Sequence, residues 1–209
     1  MKVEIEIKGI KELITKLDPN KVRMAANSAL NKVAAQAKTE ASRQIRAEYN
    51  IKASDVNKNM RLTTRARGDQ MEAEITGSKR GMALSYFNAK QVGVKANKKG
   101  FEYTRRAQKG GILSHGGQSI HGKDVSVEVL KGQRKIIGID PKAFITKFKS
   151  GHIAVVQRQG NKRLPIKQLL GPGIALLFGS KKIMEATKKV INDKFDEIFK
   201  HELEYRLKK

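Results

Sequence analysis

The sequence has no cysteine, no tryptophan, few aromatics and fewer than half as many acids as bases, and each shortage excludes something. Without cysteine there are no disulfides and no thiolate metal sites. With aromatics at only 5%, a core must rest on Ile, Val, Leu, Ala and Met, and a 39% hydrophobic content is enough to build one. No stretch approaches the ~20 consecutive apolar residues that a membrane-spanning helix needs, so no membrane partner is expected. Val3, Ile5 and Ile7 alternate with Lys2, Glu4, Glu6 and Lys8. That is a strand pattern ended by Gly9, not the charged head and long apolar run of a secretory signal.

What is present in excess is positive charge. The 209 residues carry 44 Lys and Arg against 20 Asp and Glu, a net charge of +24. Such a chain repels copies of itself and attracts polyanions. Nucleic acid, an anionic surface or an acidic protein would each answer that field, and the excess is larger than solubility alone requires. The length suits one domain with a single core, and no internal repeat is visible.

Periodicity predicts an α+β fold. Asp18-Pro19 is a helix start, with Asp as N-cap and Pro at the first helical position. Val22, Ala25, Ala26, Ala29, Leu30, Val33, Ala34, Ala37, Ala41 and Ile45 then form one apolar stripe of helical period. Asn50 is expected to end this helix in a left-handed conformation, and Ser54 to cap a short helix through Asn59. Arg61 to Arg67, the Gly68-Asp69 turn and Met71, Ala73 and Ile75 read as a hairpin. Met82 to Phe87 reads as a strand. After Asp124, the Val125, Val127, Val129 alternation returns through Lys131-Gly132 to Ile136, Ile137 and Ile139. Ala143 to Phe148 and Ile153 to Gln157 form a second hairpin around Ser150-Gly151, with another turn at 160–162. The stretch through Leu164-Pro165-Ile166 and Gly171-Pro172-Gly173 reads as irregular and apolar. Ser180 opens a last helix whose core face is Ile183, Met184, Thr187, Val190, Ile191, Phe195, Ile198, Phe199 and Leu203. The expected architecture is an antiparallel sheet of hairpins packed on the long N-terminal helix, with a C-terminal helix, in one domain over 1–209.

Residues 90–122 break this order. They hold Lys90, Lys95, Lys98, Lys99, Arg105, Arg106 and Lys109 with a single acid, Glu102, and scattered glycines. The segment reads as a long basic loop or arm. Phe101 and Tyr103 lie among its cations, an arrangement suited to phosphates and exposed bases, and equally to an acidic protein surface. Lys95, Lys98, Lys99, Arg105, Arg106 and Lys109 are the candidate nucleic-acid or partner contacts.

Catalytic motifs are weak. Gly117 to Lys123 spells GxxxxGK, but Asp124 follows where a phosphate loop needs Ser or Thr, and a strand follows where it needs a helix. A Gly-rich approach to a hairpin accounts for it. His115, His121, His152 and His201 are scattered and have no thiolate to join, so neither a metal nor a cofactor is predicted. Ser114 and Ser119 lie near histidines without a nucleophile elbow. Glu102 and Asp124 sit in or beside a basic loop that would not hold two carboxylates at catalytic geometry. Arg67-Gly68-Asp69, the integrin-binding tripeptide, is also ordinary turn chemistry. The expectation is a protein that is not an enzyme.

Three ordered stretches carry a resemblance. The first is Ala29-Leu30-Asn31, then Ala41 to Arg46, Tyr49 to Lys52 and Val56 to Leu62. The second is Ala143-Phe144-Ile145, Lys149-Ser150-Gly151-His152 and Gln157-Arg158. The third is Arg163 to Lys167, then Gly171-Pro172-Gly173-Ile174. In this order and spacing they resemble the prophage minor tail protein Z family of tail-completion proteins. Gly173 departs from the family pattern, which has a small polar residue there, and residues 90–122 are longer and more basic than the usual middle region. The resemblance implies a structural bacteriophage protein of the virion tail, assembled in the bacterial host cytoplasm. It implies a place at the head-proximal end of the tube, where it helps complete the tail and position the DNA end for head-tail joining. The implied partners are further copies in a ring, with a hexamer expected, together with tail terminator or tail tube proteins and the phage DNA end. The alternative that charge alone allows is a basic, non-specific nucleic-acid-binding protein of ribosome or nucleoid.

Overall fold

The computed structural model describes residues 18–91, 114–115, 118–119, 125–137, 143–160, 162 and 164–208. In chain order the elements are α1 (Pro19–Glu48), α2 (Ala53–Asn59), β1 (Met60–Thr64), β2 (Glu74–Gly77), β3 (Met82–Ala83) and a 3-10 turn (Leu84–Tyr86). Next come β4 (Lys90–Gln91), β5 (Ser114–His115), β6 (Gln118–Ser119), β7 (Val125–Val127) and β8 (Lys135–Ile137). The rest are β9 (Ala143–Lys147), β10 (Ile153–Arg158), β11 (Ile166–Gln168), β12 (Leu170–Gly171), α3 (Ile174–Phe178) and α4 (Lys181–Leu207). The fold is mixed helix and antiparallel sheet, as the sequence pattern indicates. Among the described residues the strands form five small ladders: β1-β2, β11-β10-β9, β12-β3, β4-β7-β8 and β5-β6. The chain divides into two compact units, one of Met1–Arg46, Ala53–Arg80 and Gly173–Lys209, the other of Ala47–Lys52 and Gly81–Pro172.

The first unit is organised by α1. Asp18 caps it, its Oδ1 accepting the Asn20 N–H at 2.9 Å while its carbonyl accepts the Val22 N–H at 3.1 Å. Pro19 fills the first helical position, where a missing N–H costs nothing. All ten residues of the apolar stripe are buried. Beside the stripe, positions one turn apart grip the tip of the β1-β2 hairpin. The Asn31 amide donates to the Ala66 carbonyl at 2.9 Å and accepts the Ala66 N–H at 3.0 Å. Asn27 Nδ2 donates to the Gly68 carbonyl at 2.8 Å, and Arg23 pairs with Asp69. The tip itself is a two-residue turn in which Arg67 and Gln70 exchange backbone hydrogen bonds. Positive φ at Gly68 but not at Asp69 matches a type II′ turn. The turn reading of Arg67-Gly68-Asp69 therefore holds.

Helix α4 closes this unit. It buries Ile183, Thr187, Ile191, Phe195, Phe199 and Glu202, while Met184, Val190, Ile198 and Leu203 are half-buried at the margins. Lys32 bonds Glu202, and Arg206 donates to Ser28 Oγ at 2.7 Å. The two ties lie one turn apart on each helix and in opposite order, so α1 and α4 run antiparallel. Glu202 is held below the usual carboxylate range chiefly by the Lys32 hydrogen bond; burial opposes this, and the Lys32, Arg206 and His201 charges add to the lowering.

The second unit is built on the β9-β10 hairpin, paired from Ala143↔Gln157 to Lys147↔Ile153, with β11 added antiparallel along β10. The buried side chain of Gln91 on β4 accepts the Ile145 N–H at 3.2 Å, and Ser85 Oγ donates to the Ile153 carbonyl at 2.8 Å.

Several local expectations are corrected. Asn50 is not left-handed: the chain leaves α1 extended, with Tyr49 bridged to Leu130 and the Asn50 N–H on the Val129 carbonyl, so pairing replaces a helix cap. Ser54 lies inside α2 rather than capping it. Met82 to Phe87 is strand only over Met82–Ala83, because Phe87 N–H turns back onto the Leu84 carbonyl at 3.0 Å. The stretch read as irregular contains β11 and β12, which pair with β10 and β3. Ser180 sits at the N-cap of α4 but makes no capping bond. The strand expected over Val3 to Ile7, the 90–122 loop beyond Gln91 apart from β5 and β6, and Ile139 lie outside the described residues.

Two outcomes follow for stability. Leu30 is fully buried, so Leu30→Asp places an unpaired charge in the core. It is expected to cost more than ~4 kcal/mol and abolish the cooperative melt seen by circular dichroism. Glu202→Gln should cost about 1–2 kcal/mol at neutral pH, the charged hydrogen bond being partly screened on its exposed lysine side. The folded-state pKa of Glu202 is depressed, so its stabilisation is present above the unfolded carboxylate value and lost as pH falls through the folded one. Urea melts of both proteins should therefore converge as the pH is lowered below about 4.

Candidate functional site

The second unit holds a cavity of about 410 Å³. Its walls come from two places in the chain: Ser85, Tyr86 and Ala89 on and after the 3-10 turn, and Ile145, Gly151, His152 and Ile153 on the β9-β10 hairpin. The register explains why the hairpin contributes these residues. Phe148 and His152 follow the Lys147↔Ile153 pair, with the Phe148 N–H on the His152 carbonyl at 2.8 Å and the Gly151 N–H on the Phe148 carbonyl at 2.9 Å. This is a three-residue loop closed by a glycine at φ +83, the usual way of ending such a hairpin with a bulge. It brings the two rings onto one face, stacked at 6.1 Å with 17° between planes. The His152 ring also meets Gln168, Nε2 to Nε2, at 3.3 Å.

The 3-10 turn sets the opposite wall. A continuous strand through Met82 to Phe87 would have sent Ser85 and Tyr86 to opposite faces. The helical turn instead brings both to the cavity. Ser85 spends its hydroxyl on the Ile153 carbonyl, whereas Tyr86 is 42% exposed and its hydroxyl bonds nothing among the described residues. Ile145, Ile153 and Ala89 make the remainder apolar.

The surroundings are strongly cationic. Residues 143–173 contain six Lys and Arg and no Asp or Glu. The described residues of the second unit, over 47–52 and 81–172, hold ten Lys and Arg against two acids, Glu48 and Glu128. One of those acids, Glu128, is already engaged. The Gly132 N–H bonded to it holds it below the usual carboxylate range, burial opposing, with Arg134 adding to the lowering. Arg158 lies over the Phe144 ring at 5.3 Å, which orders a guanidinium that would otherwise be mobile.

The sequence-predicted contacts Lys95, Lys98, Lys99, Arg105, Arg106 and Lys109 all lie outside the described residues, as do Glu102, Asp124 and most of the GxxxxGK stretch. Within that stretch Gln118–Ser119 forms β6, antiparallel to Ser114–His115. His152 is placed at the cavity, and His201 is exposed on α4. Among the described residues no group of three or more His, Asp or Glu could hold a metal ion, and no helix is long and apolar enough to cross a membrane.

The stretches that carried the family resemblance occupy defined places in this framework. Asn31 is the residue that grips Ala66, Lys149 to His152 is the turn that walls the cavity, and Gly171 to Ile174 enters α3. The family model for prophage minor tail protein Z (GPZ) matches residues 7–209. The chain belongs to the prophage minor tail protein Z family. No curated protein and no solved structure matches it. Membership makes it a structural protein of phage tails. Gly173, in the last of these stretches, leaves no room for a side chain: a Cβ there would stand 2.7 Å from the Arg80 carbonyl oxygen.

The hairpin turn of this minor tail protein is open to a paired test. Gly151→Ala forces a side chain into a φ of +83 and should lower stability by about 1–2 kcal/mol. Gly160→Ala, at an ordinary φ with nothing within 4 Å, should stay within about 0.5 kcal/mol of the parent. Equal melting temperatures for the two variants would show that the turn does not hold the Phe148-His152 pair.

Proposed function

We propose that this protein is a tail-completion component at the head-proximal end of the tail tube, where it helps position the DNA end for head-tail joining and catalyses nothing. The family match over residues 7–209 carries the reading. The net charge of +24 supports it, because a DNA end meeting the tail needs a cationic surround that holds phosphates without reading bases. In this reading the chain acts as one domain that assembles in the bacterial host cytoplasm as a closed homo-oligomeric ring, a hexamer matched to a six-fold tube. Its neighbours are tail terminator or tail tube proteins. Free subunits of this charge repel one another, so a template, a neighbour or salt assists closure. Lys95, Lys98, Lys99, Arg105, Arg106 and Lys109 face the lumen or the adjoining ring.

Electron microscopy of assembled particles with the protein labelled is expected to find six copies at the head-proximal end of the tail. Recovery with ribosomes or nucleoid instead would favour a general nucleic-acid-binding protein. The six loop residues give a second measurement. Changed together to Ser, they should leave the melt intact and weaken duplex binding. The salt slope should flatten by up to about five if all six meet phosphate. An unchanged slope would assign the loop to a protein neighbour.

A further inference from the structure

We infer that the cavity between the 3-10 turn and the β9-β10 hairpin is a binding site for an unpaired nucleotide of a single-stranded nucleic acid. Three observations converge on that ligand. The cavity, at about 410 Å³, has the size of a small-molecule pocket and is open enough to leave Tyr86 42% exposed. Its polar wall is aromatic: Tyr86 on one side, and on the other the His152 ring backed by Phe148 at 6.1 Å. Its floor of Ile145, Ile153 and Ala89 offers apolar contact and no competing charge.

The third observation is electrostatic. Lys90 follows the lining residue Ala89, and Lys149 precedes Gly151 by two positions; both are exposed and neither has an ion-pair partner among the described residues. With no carboxylate anywhere in residues 143–173, an anion meets no built-in repulsion from this hairpin. A flat ring to fill the cavity and a phosphate beside it are what each nucleotide of an unpaired strand presents. In a duplex the bases are stacked inward and only the phosphates would be met. An acidic peptide matches the cations but brings a ring only by chance of sequence. The inference shares with the proposed function only the premise that the chain meets nucleic acid. It concerns residues distinct from the 95–109 cations.

The chain has no tryptophan, so Tyr86→Trp introduces a single fluorescent reporter at the site. Titrating this full-length variant with a 12-nucleotide oligothymidylate should quench and shift the indole emission, while a duplex of the same length and polyglutamate should not. By anisotropy of a labelled oligothymidylate, Tyr86→Ala and His152→Ala should each weaken binding about tenfold, and Tyr86→Phe should retain it. These variants keep the question open to measurement if the tryptophan variant does not fold. Lys90→Ser with Lys149→Ser should flatten the single-strand salt slope by about 1.4. Binding without any change in the indole emission, or equal binding of oligothymidylate by parent and Tyr86→Ala, would overturn the inference. Equal quenching by duplex would reduce the site to a phosphate contact, and equal quenching by polyglutamate would assign it to an acidic protein; either overturns it. None of these failures bears on where the protein sits in the particle or on duplex binding by the 95–109 loop.

Discussion

A chain with 44 cations and only 20 carboxylates cannot neutralise its own field, and its architecture follows from how the scarce acids are used. Glu202 is buried on α4 and takes Lys32 from α1, with Arg206 one turn further along. Asp69 pairs with Arg23 and so ties the hairpin tip to α1. Glu128 gathers the Gly132 N–H and Arg134 in its own turn. Glu202 and Asp69 join segments that the apolar core alone would hold less specifically, and Glu128 fixes a turn. What remains is a net charge of +24 that the chain's own carboxylates cannot balance. That surplus disfavours the isolated subunit and favours any assembly in which a polyanion or an acidic neighbour supplies the missing charge.

Much of the framework was legible because local chemistry and long-range packing agreed. Asp18-Pro19 is a cap in any context, and a ten-residue apolar stripe can be buried only along one face of a helix. Gly68-Asp69 and Ser150-Gly151 are turn signals that the flanking alternation confirms. The misreadings occurred where a distant partner decided the conformation. Tyr49 and Asn50 end α1 by pairing with Leu130 and Val129, about eighty residues away in sequence. Leu170 and Gly171 become strand only because Met82 and Ala83 lie beside them. The two compact units alternate along the sequence, the chain passing between them four times, and no shift of composition marks those crossings.

The candidate site was half legible. The turn Lys149 to His152 is visible both as turn chemistry and as part of the family resemblance. That His152 stacks on Phe148 follows from hairpin register once the loop length is known. Tyr86 carries no such signal. An alternating apolar segment ending in Tyr-Phe reads as strand, and only the Phe87-to-Leu84 hydrogen bond turns it into the opposite wall. The six loop cations are conspicuous in composition, yet charge density says nothing about geometry.

The grip of α1 on the hairpin tip has a consequence for how this chain can vary. Asn31 bonds both backbone groups of Ala66, and Asn27 bonds the carbonyl of Gly68; neither inspects a side chain. The helix thus gauges the length and path of the loop while ignoring most of its spelling. Arg67 and Gln70 are free to drift under selection from outside the molecule, whereas a single inserted or deleted residue would slide the whole tip out of step with its two asparagine teeth. Variation in this tail protein is in that sense permitted by letter and forbidden by count.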